Sequence, residues 1–185
     1  APMKITPADG MPDVLILAPD AYEDERGARY EGHRVSDLSE AAGYPINFVV
    51  SNVAENKPFA WRGLHYQIME PQGKLIRCLK GELFDICVDL RKSSPTFGQV
   101  YRYMFKPGDR NAVWIPPGFA HGFLAGPDGA VVHYDLTTYY REEWARVLNY
   151  YDPALGITLP KCPEPIKITM KDERAPLLAE CDVFP

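Results

Sequence analysis

Short runs in which apolar and polar residues alternate follow one another along most of the chain and predict an all-β fold. The run at residues 82–91 shows the pattern best, because Phe84, Ile86, Val88 and Leu90 alternate with charged residues and one cysteine. Further strands are predicted at residues 13–19, 46–53, 62–69, 74–80, 99–106, 111–116, 120–126 and 130–140. Without long amphipathic helices between them, these strands favour an antiparallel sandwich or barrel over a parallel α/β sheet.

Turn and capping residues mark where several of these elements end. Lys80 and Gly81 are predicted to form a tight turn between the neighbouring strands at residues 74–80 and 82–91. The segment at residues 36–43 predicts one short helix, with Ser36 as its N-cap and Gly43 as its C-cap.

The length of 185 residues fits one domain, and no repeat or linker divides the chain. We expect one domain over residues 1–185, with an N-terminal arm at about residues 1–45 and a barrel at about residues 46–140. A C-terminal extension at about residues 141–185 is rich in loops, with a short helix predicted near residues 171–180.

Composition excludes several classes of partner. The net charge of −5 argues against a nucleic-acid partner, although it leaves room for a local basic site that binds a phosphorylated small molecule. No apolar run approaches the roughly 18 residues of a membrane span, and the first residues do not resemble a signal peptide, so we expect a cytoplasmic protein without a membrane partner. Four cysteines without a C-x-x-C pair favour buried free thiols, at positions Cys78, Cys87, Cys162 and Cys181.

Four histidines are the candidates for metal or proton chemistry: His33, His65, His121 and His133. Two histidines one residue apart on a strand, with a later Glu and His, are typical of a metal site in a β-barrel, and this chain has no such pair. We therefore expect no metal. In the segment "RGLHYQ", His65 is a structural histidine, a metal ligand or a base.

Two cations lie near His65 in the sequence. Arg62 is three residues before His65, so the two side chains share a face only if Gly63 forms a bulge. Lys74 lies across from His65 if the strands at residues 62–69 and 74–80 pair. Arg62 and Lys74 then form a site for a diphosphate or an oxyanion; otherwise they are solvated surface cations.

The segment "HYDLTTYY" carries a second candidate group. Tyr134 and Tyr140 are six residues apart and lie on one face of an ideal strand. Aromatic side chains in a barrel fill its core, stack on nucleobases or, as phenols, donate protons.

Four motifs together resemble the dTDP-4-dehydrorhamnose 3,5-epimerase family: "RGLHYQ", "GELFDICVDLRKSSPTFGQV", "WIPPGFAHGFL" and "YYDPALGI". The resemblance extends from about Val14 to Leu178. It implies an antiparallel, cupin-like jelly-roll barrel that forms a homodimer and needs no metal or other cofactor. It also implies a nucleotide-diphosphate 4-ketosugar as substrate, a dTDP-linked 4-keto-6-deoxyhexose inverted at C3 and C5.

The resemblance also assigns roles to individual residues. His65 matches the family's base, and Asp172 matches the carboxylate that accompanies it. Tyr134 matches the opposing acid, and Lys74 matches the cation beside the developing enolate. The positions matching substrate contacts are Arg62 at the diphosphate, Arg26 and Glu31 on an arm that reaches a neighbouring subunit's nucleotide, and Asn52, His121 and Tyr140.

The chain departs from the family pattern at four positions near the predicted substrate. Asp135 replaces a lysine, Thr138 an aspartate, Arg29 an aromatic residue and Val50 a glutamine. A C3-only or C5-only epimerase of a dTDP-, GDP- or CDP-linked 4-ketosugar is therefore the closest alternative. Alternatives from other classes are a metal-dependent cupin dioxygenase or isomerase and a sugar-binding barrel without activity.

Overall fold

Strands make up most of the structure. The computed structural model describes residues 3–185, and within them the strands are β1 (Lys4–Ala8), β2 (Met11–Ala18), β3 (Tyr22–Asp24), β4 (Gly27–Arg29), β5 (Val50–Asn56), β6 (Trp61–Gln67), β7 (Lys74–Asp89), β8 (Val100–Phe105), β9 (Ala112–Ile115), β10 (Phe119–Leu136) and β11 (Ala145–Val147). The helices are α1 (Val35–Ala42) and α2 (Met170–Glu173), with single 3-10 turns at Glu142–Trp144 and Pro153–Leu155. The predicted all-β class with a few short helices is confirmed.

The two long strands β7 and β10 form the spine of the main sheet, because they pair antiparallel along most of their lengths. The first residues of β7 also pair with β9, and its second half pairs with β8. The first half of β10 pairs with β6, and its second half pairs with β5. Because each long strand changes neighbours along its length, the sheet folds over on itself. The result is the predicted cupin-like jelly-roll barrel.

Both terminal segments pack onto this barrel. Strands β1 and β2 extend the sheet beyond β9, while β3 and β4 form a separate hairpin. The buried side chains of Leu17, Leu38 and Trp114 belong to an apolar cluster under the N-terminal segment. A second cluster, which includes Leu148 and Leu155, lies under the C-terminal segment. The division into arm, barrel and extension stays a prediction, and β1 and β2 lie within the main sheet.

The predicted turn at Lys80 and Gly81 is wrong, because β7 runs through it as one strand. Lys80 pairs with Val131 while Cys78 pairs with Val132, so β7 has one extra residue, a β-bulge, at Leu79. Gly81 has φ +85°, and a Cβ there would collide with the carbonyl of Gly129. These turn-like residues therefore bend the strand instead of ending it. Two other predicted strands, at residues 120–126 and 130–140, are likewise one strand, β10.

Other element limits also differ from the sequence prediction. Helix α1 has Arg34 as its N-cap, so the prediction for Ser36 is wrong. Gly43 is confirmed as the C-cap: it has φ +85° and donates its N–H to the backbone carbonyl of Ser39. Strand β5 begins only at Val50, and α2 ends at Glu173, earlier than predicted.

The structure also bears on the expectations for membrane-spanning helices and for the cysteines. No helix among residues 3–185 is both long and apolar enough to cross a bilayer. The cysteines are free thiols; Cys78 and Cys87 are buried, whereas Cys162 and Cys181 are half-buried.

Candidate active site

A bulge in β6 orients His65. Along this strand His65 pairs with His121 and Arg62 pairs with Phe123, so one more residue is present on β6 than on β10 between these pairs. Gly63 makes the bulge possible: it has φ +118°, and a Cβ there would lie 2.7 Å from Gly122 Cα. The bulge that the sequence permits at Gly63 is therefore present. The His65 side chain keeps 46% of its surface exposed, although the strand around it is largely buried.

The carboxylate of Asp172 reaches His65 from the C-terminal segment. The backbone N–H of Trp61 donates to the carbonyl of Lys167, which holds that segment against the start of β6. Helix α2 follows, and its Asp172 Oδ1 lies 2.8 Å from His65 Nε2, while Oδ2 accepts the N–H of Gly63 at 3.1 Å. The structure thus brings together two residues that are 107 positions apart in the chain.

The electrostatics of this pair fix how the imidazole is held. Burial raises the pKa of Asp172, but the hydrogen bonds from His65 and Gly63 outweigh burial and hold that pKa below its ordinary value. Asp172 is therefore an anion that only accepts hydrogen bonds. His65 Nε2–H must donate to it, which leaves the lone pair on Nδ1 available for a proton.

His65 opens onto a cavity of about 270 Å³. Its lining comes from β5, β6, β7, β10, β11, α2 and two connecting segments: Asn52, His65, Tyr66, Gln67, Gln72, Lys74, Tyr134, Leu136, Tyr140, Ala145, Arg146, Val147 and Lys171. Tyr134 and Asn52 are cross-strand partners on β10 and β5. An imidazole, a phenol and an amine therefore line one small cavity.

Lys74 supplies that amine from the first residue of β7. The residue is 7% exposed, and its ammonium makes no hydrogen bond or ion pair with any of residues 3–185. Burial lowers the pKa of Lys74 to about 8, and the charge of Asp85 opposes that shift. Strand β6 pairs with β10 and β11 and not with β7. Lys74 thus reaches the cavity, but the strand pairing considered from the sequence is wrong.

A second histidine–carboxylate pair lies buried beneath the cavity. His121 Nε2 is 2.6 Å from Asp85 Oδ1, and both residues are at least 94% buried. Burial lowers the pKa of His121 and raises the pKa of Asp85, because it disfavours both charged forms. His121 is the cross-strand partner of His65.

Cations border the site on its other side. A neighbouring cavity of about 490 Å³ shares His65 and Lys171 with the first and is also lined by Arg62, Lys167 and Asp172. Arg62 is fixed there, since its Nε donates to Asn56 Oδ1 at 2.7 Å. Three cations next to one histidine suit an anionic ligand. Among residues 3–185, no three His, Cys, Asp or Glu side chains are grouped so that they could hold a metal ion.

Comparisons with known proteins decide the family. A sequence profile described as dTDP-4-dehydrorhamnose 3,5-epimerase matches residues 9–180. The chain belongs to this family. The dTDP-4-dehydrorhamnose 3,5-epimerase of Salmonella typhimurium is 41% identical over 177 residues, which are 95% of this chain and 96% of that protein. These are enzymes of the isomerase class.

Solved structures of similar proteins agree with this assignment. The Legionella pneumophila dTDP-6-deoxy-D-glucose-3,5-epimerase, in complex with dTDP-4-keto-L-rhamnose, has a TM-score of 0.92 and 37% identity, covering 98% of this chain and 95% of that one. ChmJ, a 3′-monoepimerase from Streptomyces bikiniensis in complex with dTDP-quinovose, has a TM-score of 0.85 and 31% identity, covering 94% and 87%.

The residues predicted from the epimerase family fall into three groups. The cavity brings together His65, Lys74, Tyr134, Asn52 and Tyr140, with Asp172 behind His65. Arg62 borders the neighbouring cavity, and His121 lies beneath, buried. Arg26 and Glu31 lie on the N-terminal segment away from this site, where Arg26 pairs with Asp24 and Glu31 pairs with Arg34. The roles of all ten residues stay predictions.

Sequence reasoning missed Asp85, although the strand that carries it was predicted. Lys74 and Asp85 are separated by an odd number of positions, so an unbroken strand would place them on opposite faces. The bulge at Leu79 changes that parity and puts both on the inner face. Gln72, Arg146 and Lys171 were also missed; they come from a connecting loop, a short strand and α2, where periodicity carries no signal.

The departures from the epimerase family pattern do not alter the inner wall of the cavity. Asp135 follows Tyr134 on β10 and therefore lies on the opposite face of the sheet, where it contacts His33 and His133. The hydroxyl of Thr138 donates a hydrogen bond to the backbone carbonyl of Glu70. The backbone carbonyl of Thr138 accepts one from the side-chain amide of Gln72. Thr138 thus holds the loop that carries Gln72.

Proposed function

We propose that this protein epimerises a dTDP-linked 4-keto-6-deoxyhexose at both C3 and C5. The observation that carries the proposal is the His65–Asp172 hydrogen bond beside a cavity that also contains the Tyr134 phenol and the unpaired Lys74 amine. A base, an acid and a cation are the three groups that inversion next to a ketone requires. They need no redox cofactor, because substrate and product have the same oxidation state.

The reaction follows from these residue types. The C4 carbonyl acidifies the protons on C3 and C5, and His65 removes one of them while the C–H electron pair moves onto the C4 oxygen. The Lys74 ammonium stabilises the negative charge that develops on the C4 oxygen in the transition state and is complete in the enolate. Asp172 stabilises the imidazolium that forms. The electron pair then returns to the carbon, and Tyr134 gives a proton to its opposite face. His65 releases its proton to solvent, Tyr134 regains one from solvent, and a second cycle inverts the other centre.

The surrounding residues suit the rest of the substrate. Arg62 and Lys171 line the same cavity, which supports the proposal that they bind the diphosphate. The ring of Tyr140 is 61% exposed, which supports the proposal that a base stacks on it. Arg26 and Glu31 lie away from the site of their own chain, so we propose that they serve the site of a second copy in a homodimer. We propose the cytoplasm as its location.

Single-centre epimerisation is the second candidate. ChmJ, a 3′-monoepimerase, covers 94% of this chain with the same fold. The base, the acid and the cation are required whether one carbon is inverted or two. The distinction therefore rests on how the sugar ring is turned in the cavity, and the product must be measured directly.

The test is proton exchange in deuterium oxide, followed by NMR, with dTDP-, GDP-, CDP- and UDP-linked 4-keto-6-deoxyhexoses. We expect deuterium at both C3 and C5 of the dTDP-linked sugar, and slower exchange with the other nucleotides. Deuterium at one carbon only, after complete turnover, would instead establish epimerisation at a single centre. Exchange with none of the sugars would remove the proposal, and chelator-sensitive activity would point to the metal-dependent alternative.

The matched controls are His65→Asn and Asp172→Asn. The first removes the base and should abolish exchange at both carbons. The second keeps the hydrogen-bonding shape but loses the charge that stabilises the imidazolium, so exchange should fall strongly without vanishing. Exchange at the wild-type rate in His65→Asn would exclude His65 as the base.

A further inference from the structure

We propose that Asp85 is a positioning residue, which keeps Lys74 charged and holds His121 fixed beneath the cavity, so that the enolate oxygen meets an ammonium. The proposal rests on the function proposed above. Asp85 itself does not line the cavity, and it acts through the two groups that flank it.

The geometry shows why this carboxylate is unusual. Asp85 is 2% exposed and faces the inside of the barrel, where its strand neighbours Leu83 and Cys87 belong to the apolar core. A carboxylate in such surroundings is costly unless it is paired. Asp85 Oδ1 forms a hydrogen bond with His121 Nε2 at 2.6 Å. The other charged group that acts on the Asp85 carboxylate is the ammonium of Lys74.

The surroundings of Lys74 are complementary. Asp85, His121 and Lys74 form one buried cluster, and of these three residues Lys74 is the one that lines the cavity. Its amine has no hydrogen-bond partner among residues 3–185. Burial lowers the pKa of Lys74 to about 8, and Asp85 is the group that raises it. The other titratable groups that face the cluster are His65 from β6, Tyr103 from β8, Tyr134 from β10, Arg146 from β11, and Cys78 and Cys87 from β7.

Charge balance indicates the working state. With Asp85 ionised, Lys74 protonated and His121 neutral, the cluster carries no net charge, which burial favours. His121 then donates its Nε2–H to Asp85. If Asp85 lost its charge, the ammonium would be a buried, uncompensated cation and would release its proton more readily. The resulting neutral amine would stabilise an enolate far less well.

The variant that tests this is Asp85→Asn, because an amide oxygen still accepts from His121 while the charge is gone. In the pH profile of kcat, the alkaline limb marks the loss of the proton from Lys74. We expect that limb to move toward lower pH by about one unit or more. Above the new limb, kcat should be lower by about tenfold or more, and KM should change less. The matched control is Asp89→Asn, on the same strand, whose carboxylate pairs with Arg91 outside the site. It should lower stability without moving the limb.

A second measurement keeps the two proposals separate. The protonation of Lys74 is followed directly by competitive acetylation with acetic anhydride across pH 6–10, with mass spectrometry of the peptide that contains it. The midpoint of Lys74 should fall in Asp85→Asn and stay in Asp89→Asn. An unchanged midpoint in folded Asp85→Asn would overturn the Asp85 role even if the enzyme is an epimerase. A lowered midpoint in a protein that turns over no 4-ketosugar would support the Asp85 role and reject the proposed function.

Discussion

Neighbouring residues of β10 have different tasks because they face opposite sides of the sheet. Tyr134 lines the cavity, whereas Asp135 lies 3.8 Å from His33 and 3.7 Å from His133 on the other face. The replacement of the family's lysine by Asp135 therefore leaves the phenol of Tyr134 in place. If Tyr134 is the acid that we propose, its substitution separates proton removal from proton return.

We expect Tyr134→Phe to retain much of the deuterium exchange and to lose inverted product by roughly 10²-fold or more. His65 can remove a proton and return a solvent-derived one to the same face, which labels the carbon without inverting it. Phenylalanine keeps the ring and removes only the hydroxyl. Exchange is read by NMR, and inversion by coupling to a stereospecific 4-ketoreductase. An equal fall of both rates would mean that Tyr134 also takes part in proton removal or binding.

At the scale of elements, the segment before α1 is held to the outer face of β7 and β10 by a small polar cluster. The carbonyl of Gly32 accepts from the buried Arg77, and the ring of His33 packs edge-on against Phe48 at 5.2 Å. Burial lowers the pKa of His33; Arg77 and His133 act in the same direction, and Asp135 opposes them. The cluster is thus built for a neutral His33.

This contact should weaken in acid. A detached His33 binds a proton more readily than a docked one, so docking is fully favoured above the ordinary histidine pKa of about 6.5 and is lost progressively as the pH falls below it. Hydrogen exchange of residues 30–42, corrected for intrinsic rates, should become faster at pH 5.5 than at pH 7.5. In His33→Gln that difference should shrink. Equal protection at both pH values in the unmodified chain would contradict the assignment.

An element could be predicted where the local sequence pattern alone determines it. Alternation located nearly all strands of the barrel, and the left-handed conformation at Gly43 was foreseen because few other residues adopt it. The residues Lys80 and Gly81 have the composition of a turn, yet pairing of β7 with β10 keeps the chain extended there. That pairing is a tertiary effect, so the local sequence does not reveal it. The inward position of Asp85 depends on the same bulge and was invisible for the same reason.

At the scale of the whole molecule, the distance between the arm and the site sets a condition on activity. Arg26 lies at the tip of the β3–β4 hairpin with its side chain 86% exposed, and Glu31 follows that hairpin. Neither lines the cavity that contains His65. If both contact the nucleotide, as the family resemblance implies, they do so in another subunit, and a single chain holds an incomplete site.

Hybrid dimers test this condition. An Arg26→Ala/Glu31→Ala chain retains His65, the proposed base, and a His65→Asn chain retains its arm. Each homodimer should therefore have little activity at low substrate concentration. Refolding the two together should restore about a quarter of the wild-type rate, because half of the dimers are hybrids and each hybrid has one complete site. Without recovery in the mixture, the arm would serve its own chain or have no role in binding.

The two long strands have a consequence for how such an enzyme can change. His65, Lys74, Asp85 and Tyr134 all lie on paired strands, whereas Gln72, Tyr140 and Lys171 are supplied by segments that connect or follow them. Loops accept substitution and insertion far more readily than paired strands. Selection or design can therefore exchange the sugar or nucleotide that is admitted while the proposed proton-transfer groups keep their positions on the strands. Loop grafting between relatives of different substrate preference is thus a more promising route to new epimerases than redesign of the barrel wall.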